Sequence, residues 1–343
     1  PTWIAFIGEM LALSLCWLPS AVLYNYLTYA LLLLGTMLLY QGLVKNQKRY
    51  LIAAGAVLGI NVGVRISNLV QVGLILAVWG YGIIGRKKSS QVWKETGWCV
   101  VGYLGGFLIF LVPILSIYGV NAYTEGISRL FIIPAHASDY SAGAMLEGMV
   151  WAYFHSAYWL KRFLLAAGVG VLLCLALPRR WRRVKQAFSV LLFVPAIWWL
   201  RENGFYSNDT TTYNAVFYPS VIFLTMVIGL GGFQILRRKA DKEEKLLAGL
   251  LILTVLVASL GGNNAIYSSI NNLFLVLPCA FWMILKFCRD QKEVVWFPVK
   301  CMLLLAVFFV LVQGARFGVS FVYEEATGGR NMNTQIEDIP VLK

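Results

Sequence analysis

Residues 97–120 read GWCVVGYLGGFLIFLVPILSIYGV, 24 residues in a row without a charged side chain. An α-helix needs about 20 consecutive apolar residues to cross the hydrocarbon core of a bilayer. This stretch therefore predicts a membrane-spanning helix. Nowhere does the sequence alternate polar and apolar residues at the strand length of an outer-membrane barrel, so we expect an all-α membrane protein.

The whole chain has the composition of a membrane protein. Of its 343 residues, 59% are hydrophobic and 13% are charged, and its mean hydropathy is +0.71. Soluble proteins carry about 25% charged residues. The shortage of charge excludes a soluble enzyme, a disordered chain and a disulfide-rich secreted module. Six cysteines are scattered without a C-x-x-C spacing, which predicts neither a metal site nor a disulfide framework.

Apolar runs recur along the chain and predict a polytopic transmembrane helical bundle of about eleven spans. Three of the runs are short for a full span, which predicts tilted or broken helices there. These short runs are 50–64, 187–200 and 246–260. The other runs are 2–18, 21–44, 66–84, 97–120, 157–178, 214–236, 269–287 and 299–318.

Five basic clusters hold 21 of the 29 Lys and Arg residues, and one cluster follows every second apolar run. Because positively charged loops stay on the cytoplasmic side, the net charge of +13 indicates membrane topology rather than a nucleic-acid partner. Residues 1–323 then form a transmembrane domain with outer loops at 121–156 and 201–214, and residues 324–343 form a polar extracytoplasmic tail. The basic clusters lie at 45–49, 86–94, 179–185, 237–245 and 286–300, and the third also suits anionic lipid headgroups.

Polar residues stand near the predicted outer ends of several spans, where isolated polar groups would be costly. We expect six of them to share one outer-facing cleft and to bind substrate. An arginine there suits a phosphate, and amides and phenols suit sugar hydroxyls. The alternatives are an arginine that reaches lipid headgroups, asparagines that form a turn, and a tyrosine of the aromatic belt. The six residues are Tyr24, Asn25, Arg65, Asn68, Asn263 and Asn264.

Several stretches resemble a known family. Residues 18–30, LPSAVLYNYLTYA, and residues 54–69, AGAVLGINVGVRISNL, resemble spans of bacterial GT-C-type membrane glycosyltransferases. The GGNN segment at 261–264 is similar to later segments of such proteins. The resemblance implies a GT-C-like fold in the bacterial cytoplasmic membrane. It also implies transfer of a hexose or pentose from a polyprenyl-phosphate donor to a glycan or lipid acceptor on the outer face.

The family's usual catalytic Asp lies in the first outer loop, behind the first span. In this chain the only acid before Tyr24 is Glu9, on a short apolar run. Either the chain is a fragment without the family's first span and loop, or the protein is not catalytic. The start at Pro1, without a Met, favours the fragment.

Sugar transfer needs a carboxylate as general base and a cation, either a side chain or a divalent metal ion, that neutralises the departing phosphate. Arg65 is the candidate cation. The alternative interpretation of each candidate base is an ordinary solvated loop residue. Two other functions stay open: a transporter or flippase of a lipid-linked glycan, and a non-catalytic membrane scaffold. The candidate catalytic residues in the long outer loop are Glu125, Asp139 and Glu147, with His136 as an assisting group.

Overall fold

The computed structural model describes residues 2–15, 24–136, 142–202, 214–260, 265–290, and 307–319 apart from 309 and 317. Within these ranges the regular structure is entirely helical, as the sequence predicts. Three 3-10 helices lie between the α-helices, at Ile66–Ile75, Arg179–Trp181 and Ala265–Asn272. The α-helices are α1 (Thr2–Leu15), α2 (Tyr24–Lys45), α3 (Lys48–Val64), α4 (Leu76–Gly85), α5 (Ser89–His136), α6 (Ala142–Ala176), α7 (Arg182–Leu191), α8 (Phe193–Glu202), α9 (Asn214–Leu236), α10 (Lys242–Leu260) and α11 (Leu273–Asp290).

Four helical segments of the described chain are long and apolar enough to cross a membrane. The predicted span at 97–120 lies inside the third of them. The predicted all-helical class is therefore confirmed for the described residues, with four helices suited to cross a membrane, whereas the number of eleven spans stays a prediction. The four segments are Tyr26–Lys45, Ile66–Gly85, Ser89–Arg129 and Pro219–Leu236, and a shorter apolar helix covers Leu273–Met283.

The side of α5 that faces away from the other helices is apolar. Val101, Leu104 and Ile109 are between 53% and 61% exposed along this side. Soluble proteins rarely expose so continuous an apolar surface. The surface of α5 is therefore suited to contact lipid chains.

The chain divides into two compact units. One unit contains residues 1–17, 156–222 and 277–343, and the other contains residues 18–155 and 223–276. Leucines of α2 and α3, including Leu32, Leu39 and Leu58, are almost completely buried in the core of the second unit. All the features of the candidate site belong to this second unit.

Helices α3 and α5 are in direct backbone contact through glycines spaced four residues apart. A Cβ atom at Gly55 or Gly59 would collide with the carbonyl oxygens of Cys99 and Tyr103. A Cβ atom at Gly106 would likewise collide with a carbonyl oxygen of α3, that of Ala56. Such small-residue spacing lets membrane helices approach closely enough for dense packing.

An α-helix followed closely by a 3-10 helix and then by another α-helix occurs twice. Helix α3 is followed by Arg65 and then by the 3-10 helix Ile66–Ile75, which leads into α4. Helix α10 is followed, after residues 261–264, by the 3-10 helix Ala265–Asn272, which leads into α11. The predicted short runs 50–64 and 246–260 thus lie within continuous helices, and a 3-10 helix lies in the segment after each.

The predicted short run 187–200 falls on α7 and α8, which meet at Leu192. The Leu192 N–H still bonds to the Phe188 carbonyl at 3.0 Å. The interruption is explained by Pro195, which has no N–H to donate to the preceding turn.

Candidate functional site

A cleft of about 540 Å³ lies where the end of α3 meets α5. One wall consists of residues 62–66, and the other consists of α5 side chains that are mainly aromatic and aliphatic. Among the described residues that line the cleft, Arg65 is the only charged one. The cleft therefore combines apolar walls with one positive group. The principal α5 side chains are Phe107, Phe110, Leu111, Ile114, Tyr118 and Tyr123.

Arg65 occupies the turn that joins α3 to the first 3-10 helix. Its backbone is extended, with φ −154° and ψ 125°. Its N–H donates to the Asn61 carbonyl at 3.3 Å, and its own carbonyl accepts from the Asn68 N–H at 2.9 Å. The turn is therefore fixed on both sides of Arg65 by backbone hydrogen bonds.

A kink in α5 builds the opposite wall. Gly119 has φ 79° and ψ 164°, a conformation that only glycine adopts without strain. The helix resumes after the kink, so Tyr118 before it and Tyr123 after it both line the cleft. The sequence predicts an outer loop from residue 121 onward, and in the structure residues 121–136 are helical.

Asn68 belongs to a buried amide network rather than to the lining of the cleft. Its Nδ2 donates to the Asn61 carbonyl at 2.9 Å and approaches Asn61 Oδ1 and Thr28 Oγ1, both at 3.1 Å. Asn61 Nδ2 donates to the Thr28 carbonyl at 2.9 Å and to Gln71 Oε1 at 2.7 Å. Gln71 Nε2 completes the network by donating to Asn68 Oδ1 at 3.1 Å. These four side chains are at most 4% exposed.

A second group of buried polar side chains lies around α10 and the second 3-10 helix. Ser269 Oγ donates to the Val255 carbonyl at 2.8 Å and lies 3.3 Å from Ser259 Oγ. Asn272 Nδ2 lies 3.4 Å from the Thr254 carbonyl. These contacts join α10 to the second 3-10 helix, as the amide network joins α3 to the first.

The structure does not describe the side chains of the other four residues that the sequence predicts for the cleft. Tyr24 and Asn25 begin α2, but their side chains lie outside the description. Asn263 and Asn264 lie outside the described residues altogether. Of the six predicted residues, Arg65 lines the cleft, Asn68 lies beneath the turn, and the shared cleft stays a prediction for the other four.

The candidate carboxylates that the structure describes are exposed. Glu125 lies on the α5 segment after the kink and forms an ion pair of 2.6 Å with Arg129. Both side chains are well exposed, and a pair of this kind adds little stability. Glu147 is exposed on α6. His136 ends α5 with its side chain outside the description, and Asp139 lies outside the described residues.

The described part of the chain contains no group of three or more His, Cys, Asp and Glu side chains able to hold a metal ion. A divalent ion therefore has no described ligand set here. Arg65 is the cation that the cleft itself supplies.

Two of the basic clusters, 45–49 and 86–94, lie at the opposite end of α3 from Arg65. Lys48 Nζ lies 5.6 Å from the centre of the Trp98 ring, which brings the start of α3 next to the first turns of α5. Lys87 Nζ contacts both carboxylate oxygens of Glu95 at 2.6 and 2.8 Å. The 17 residues of α3 separate this end from Arg65 by about 25 Å, close to the thickness of a hydrocarbon core.

The fold and the cleft together define a helical membrane protein with an arginine at the edge of an apolar cleft. No protein-family profile, curated protein or solved structure matches this chain significantly.

Sequence reasoning missed several parts of the site. Thr28 and Gln71 complete the amide network, and Tyr118 lines the cleft. The signal for Gln71 is its position three residues after Asn68, since residues i and i+3 lie directly above one another in a 3-10 helix. The signal for the two facing walls is the glycine spacing in α3 and α5.

Proposed function

We propose that this protein is a membrane glycosyltransferase that moves a sugar from a polyprenyl-phosphate donor to a glycan or lipid acceptor on the extracytoplasmic face. The observation that supports this best is the Arg65 cleft. Its apolar walls suit an isoprenoid chain, and its single guanidinium suits the phosphate at the head of that chain. A soluble anionic ligand would need fewer aromatic and aliphatic contacts than this cleft offers.

In this proposal the chain's own residues bind the donor and stabilise the departing phosphate. The guanidinium of Arg65 offers paired N–H donors to the phosphate oxygens. Tyr118 and Tyr123 offer hydroxyl groups that donate to and accept from the sugar. As the acceptor oxygen bonds to the anomeric carbon, the bond from that carbon to the phosphate oxygen breaks. The bonding electrons leave with the polyprenyl phosphate, whose growing negative charge Arg65 balances.

A carboxylate takes the proton of the acceptor hydroxyl. Glu125 is the better described candidate, because its neighbours Tyr123 and Gly126 both line the cleft. Glu147 is the second candidate.

The test is sugar transfer by the full chain in proteoliposomes supplied with a radiolabelled polyprenyl-phosphate sugar and an extract of membrane glycans as acceptor. We expect Arg65→Ala to lower transfer by about 100-fold, as removal of one group that stabilises a developing charge commonly does. Arg49→Ala, at the other end of the same helix, removes the same charge and should leave transfer intact. Glu125→Gln should abolish transfer, and Glu147→Gln should not. Equal transfer by the Arg65→Ala and Arg49→Ala variants would refute the proposal.

A flippase of lipid-linked glycans is the second candidate, favoured by the repeated order of α-helix, 3-10 helix and α-helix. Irregular helices that occur in corresponding places are common in transporters. The same proteoliposomes separate the two functions. A flippase moves the labelled lipid to the other leaflet without changing it, whereas a transferase consumes the lipid sugar and labels the acceptor.

A further inference from the structure

We infer that the buried amide network of Thr28, Asn61, Asn68 and Gln71 is a positioning device that aims the Arg65 guanidinium into the cleft. The inference rests on the proposed function, because it assigns the network a task in binding the donor phosphate. Asn68 then acts through Arg65 and does not touch the ligand. This differs from the direct contact with substrate that the sequence predicts for Asn68.

The network and the Arg65 turn share their anchoring atoms. The Asn61 carbonyl accepts from the Arg65 N–H at 3.3 Å and from Asn68 Nδ2 at 2.9 Å. The Asn68 N–H donates to the Arg65 carbonyl at 2.9 Å. These backbone bonds persist when Asn68 is substituted, but the Asn61 carbonyl that accepts from the Arg65 N–H then loses the Asn68 side chain that fixes its position.

The network also ties the turn to a third element. Asn61 Nδ2 reaches the Thr28 carbonyl at 2.9 Å, and Asn68 Nδ2 reaches Thr28 Oγ1 at 3.1 Å, so α2 holds both sides of the turn. Apolar side chains could fill this space, but they would permit several packings. Hydrogen-bonded amides in a low-dielectric interior favour one arrangement, because an unsatisfied amide there is costly.

Such precision matters for a guanidinium that must meet a phosphate. The fork of an arginine binds phosphate oxygens in pairs only when its direction is fixed, and supporting residues provide this direction. The side chain of Arg65 is half-buried at the cleft, and the turn beneath it determines where the side chain begins.

The test compares binding of farnesyl phosphate and farnesol to the full chain in nanodiscs. The affinity for farnesyl phosphate divided by the affinity for farnesol measures the phosphate contact separately from the contact with the isoprenoid. We expect Asn68→Ala to lower this ratio about tenfold, which corresponds to about 1.4 kcal/mol. In an Arg65→Ala background, Asn68→Ala should not lower the ratio further, because no guanidinium is left for the network to position.

Asn272→Ala is the matched control. Asn272 is also a fully buried amide, but it lies in the second 3-10 helix and bonds to the Thr254 carbonyl of α10. It should lower thermal stability without changing the ratio. An unchanged ratio in a folded Asn68→Ala variant, or an equal further loss in the Arg65→Ala background, would overturn the inference. If Arg65→Ala alone leaves the ratio unchanged, the proposed phosphate contact fails, and the positioning role fails with it.

Discussion

At the scale of single residues, Arg65 combines three properties that seldom occur together in a membrane helix. It is charged, it is half-buried, and it lies beside aromatic and aliphatic walls. A charge in such surroundings is costly and usually has a functional partner. The sequence singles out Arg65 because it interrupts two apolar runs that contain no other charge.

The shape of the cation should matter as much as its charge. We expect Arg65→Lys to weaken farnesyl phosphate binding about tenfold relative to the unsubstituted protein, because lysine keeps the charge but loses the planar fork of donors. Arg65→Ala should weaken it further. Isothermal titration in nanodiscs measures both affinities. Identical affinities for the Arg65→Lys and Arg65→Ala variants would mean that a lysine charge contributes nothing at this position.

The placement of Asn68 shows what residue-level reasoning lacks. A polar residue at a span end can face a cleft or the interior, and composition does not separate the two. The deciding factor is the 3-10 geometry of residues 66–75, which aligns Asn68 with Gln71 and brings both side chains to Asn61. An α-helical register at this segment would have offset the two side chains by about 60°.

At the scale of elements, the contact between α3 and α5 determines where the cleft can form. The two helices touch along their glycines, so residues just beyond the contact, at the end of α3 and around the α5 kink, form the two walls. The sequence shows the four-residue glycine spacing but not which helix meets which. Which helices pair depends on how well their surfaces fit together in three dimensions. The order of residues along one sequence does not reveal this fit.

Adjacent glycines in α5 give a matched test of this contact. A Cβ atom at Gly106 would collide with the Ala56 carbonyl oxygen, whereas one at Gly105 would meet nothing within 4 Å. We expect Gly106→Ala to lower the free energy of unfolding by about 1–3 kcal/mol, because the backbones must separate. Gly105→Ala should leave it unchanged or slightly higher. Thermal unfolding in detergent, monitored by circular dichroism, compares the two, and equal midpoints would exclude a tight α3–α5 contact.

The α5 kink offers a second test at this scale. Alanine at Gly119 must adopt φ 79° and ψ 164°, which costs about 1–3 kcal/mol, or straighten the helix. Either change should weaken farnesyl phosphate binding, since Tyr123 lies beyond the kink. Gly97→Ala, in the same helix and with nothing within 4 Å of the added Cβ, is the control. Unaltered binding by the Gly119→Ala variant would show that the kink does not shape the cleft.

The predicted apolar run 97–120 ends within two residues of the α5 kink at Gly119, but the sequence misses the helix that follows. Residues 121–136 contain enough polar groups to suggest a loop. They are helical with a Glu125–Arg129 pair one turn apart, and with Thr124 and Ser128 bonded to carbonyls of the preceding turn. These local contacts fit a solvated helix as well as a loop, so hydropathy alone does not separate them.

At the scale of the whole molecule, the sequence predicts the helical membrane class from composition and the two sides of the membrane from charge. The two sides of the membrane stay a prediction. The number of spans is less predictable, because a run of apolar residues can form one helix or two short ones. The run 187–200, divided between α7 and α8, is such a case.

Topology is testable with single cysteines in a cysteine-free background. Cysteines at Glu125 and Asn208 should react with a membrane-impermeant maleimide added to intact cells, because the basic clusters are predicted to face the cytoplasm. A cysteine at the exposed Ser90, beside the Lys87–Glu95 pair, should react only after permeabilisation. Labelling of the Asn208 position from the cytoplasmic side alone would overturn the predicted orientation.

The central claim is that the cleft holds a lipid phosphate through Arg65, and photo-crosslinking tests it most directly. An isoprenyl phosphate with a diazirine in its chain is irradiated with the full chain in nanodiscs, and the labelled peptides are identified by mass spectrometry. We predict adducts concentrated within residues 107–127, displaced by unlabelled farnesyl phosphate, lost in Arg65→Ala and retained in Arg49→Ala. Adducts spread over the lipid-facing side of α5, around Val101 and Leu104, and equal in both variants would contradict the claim.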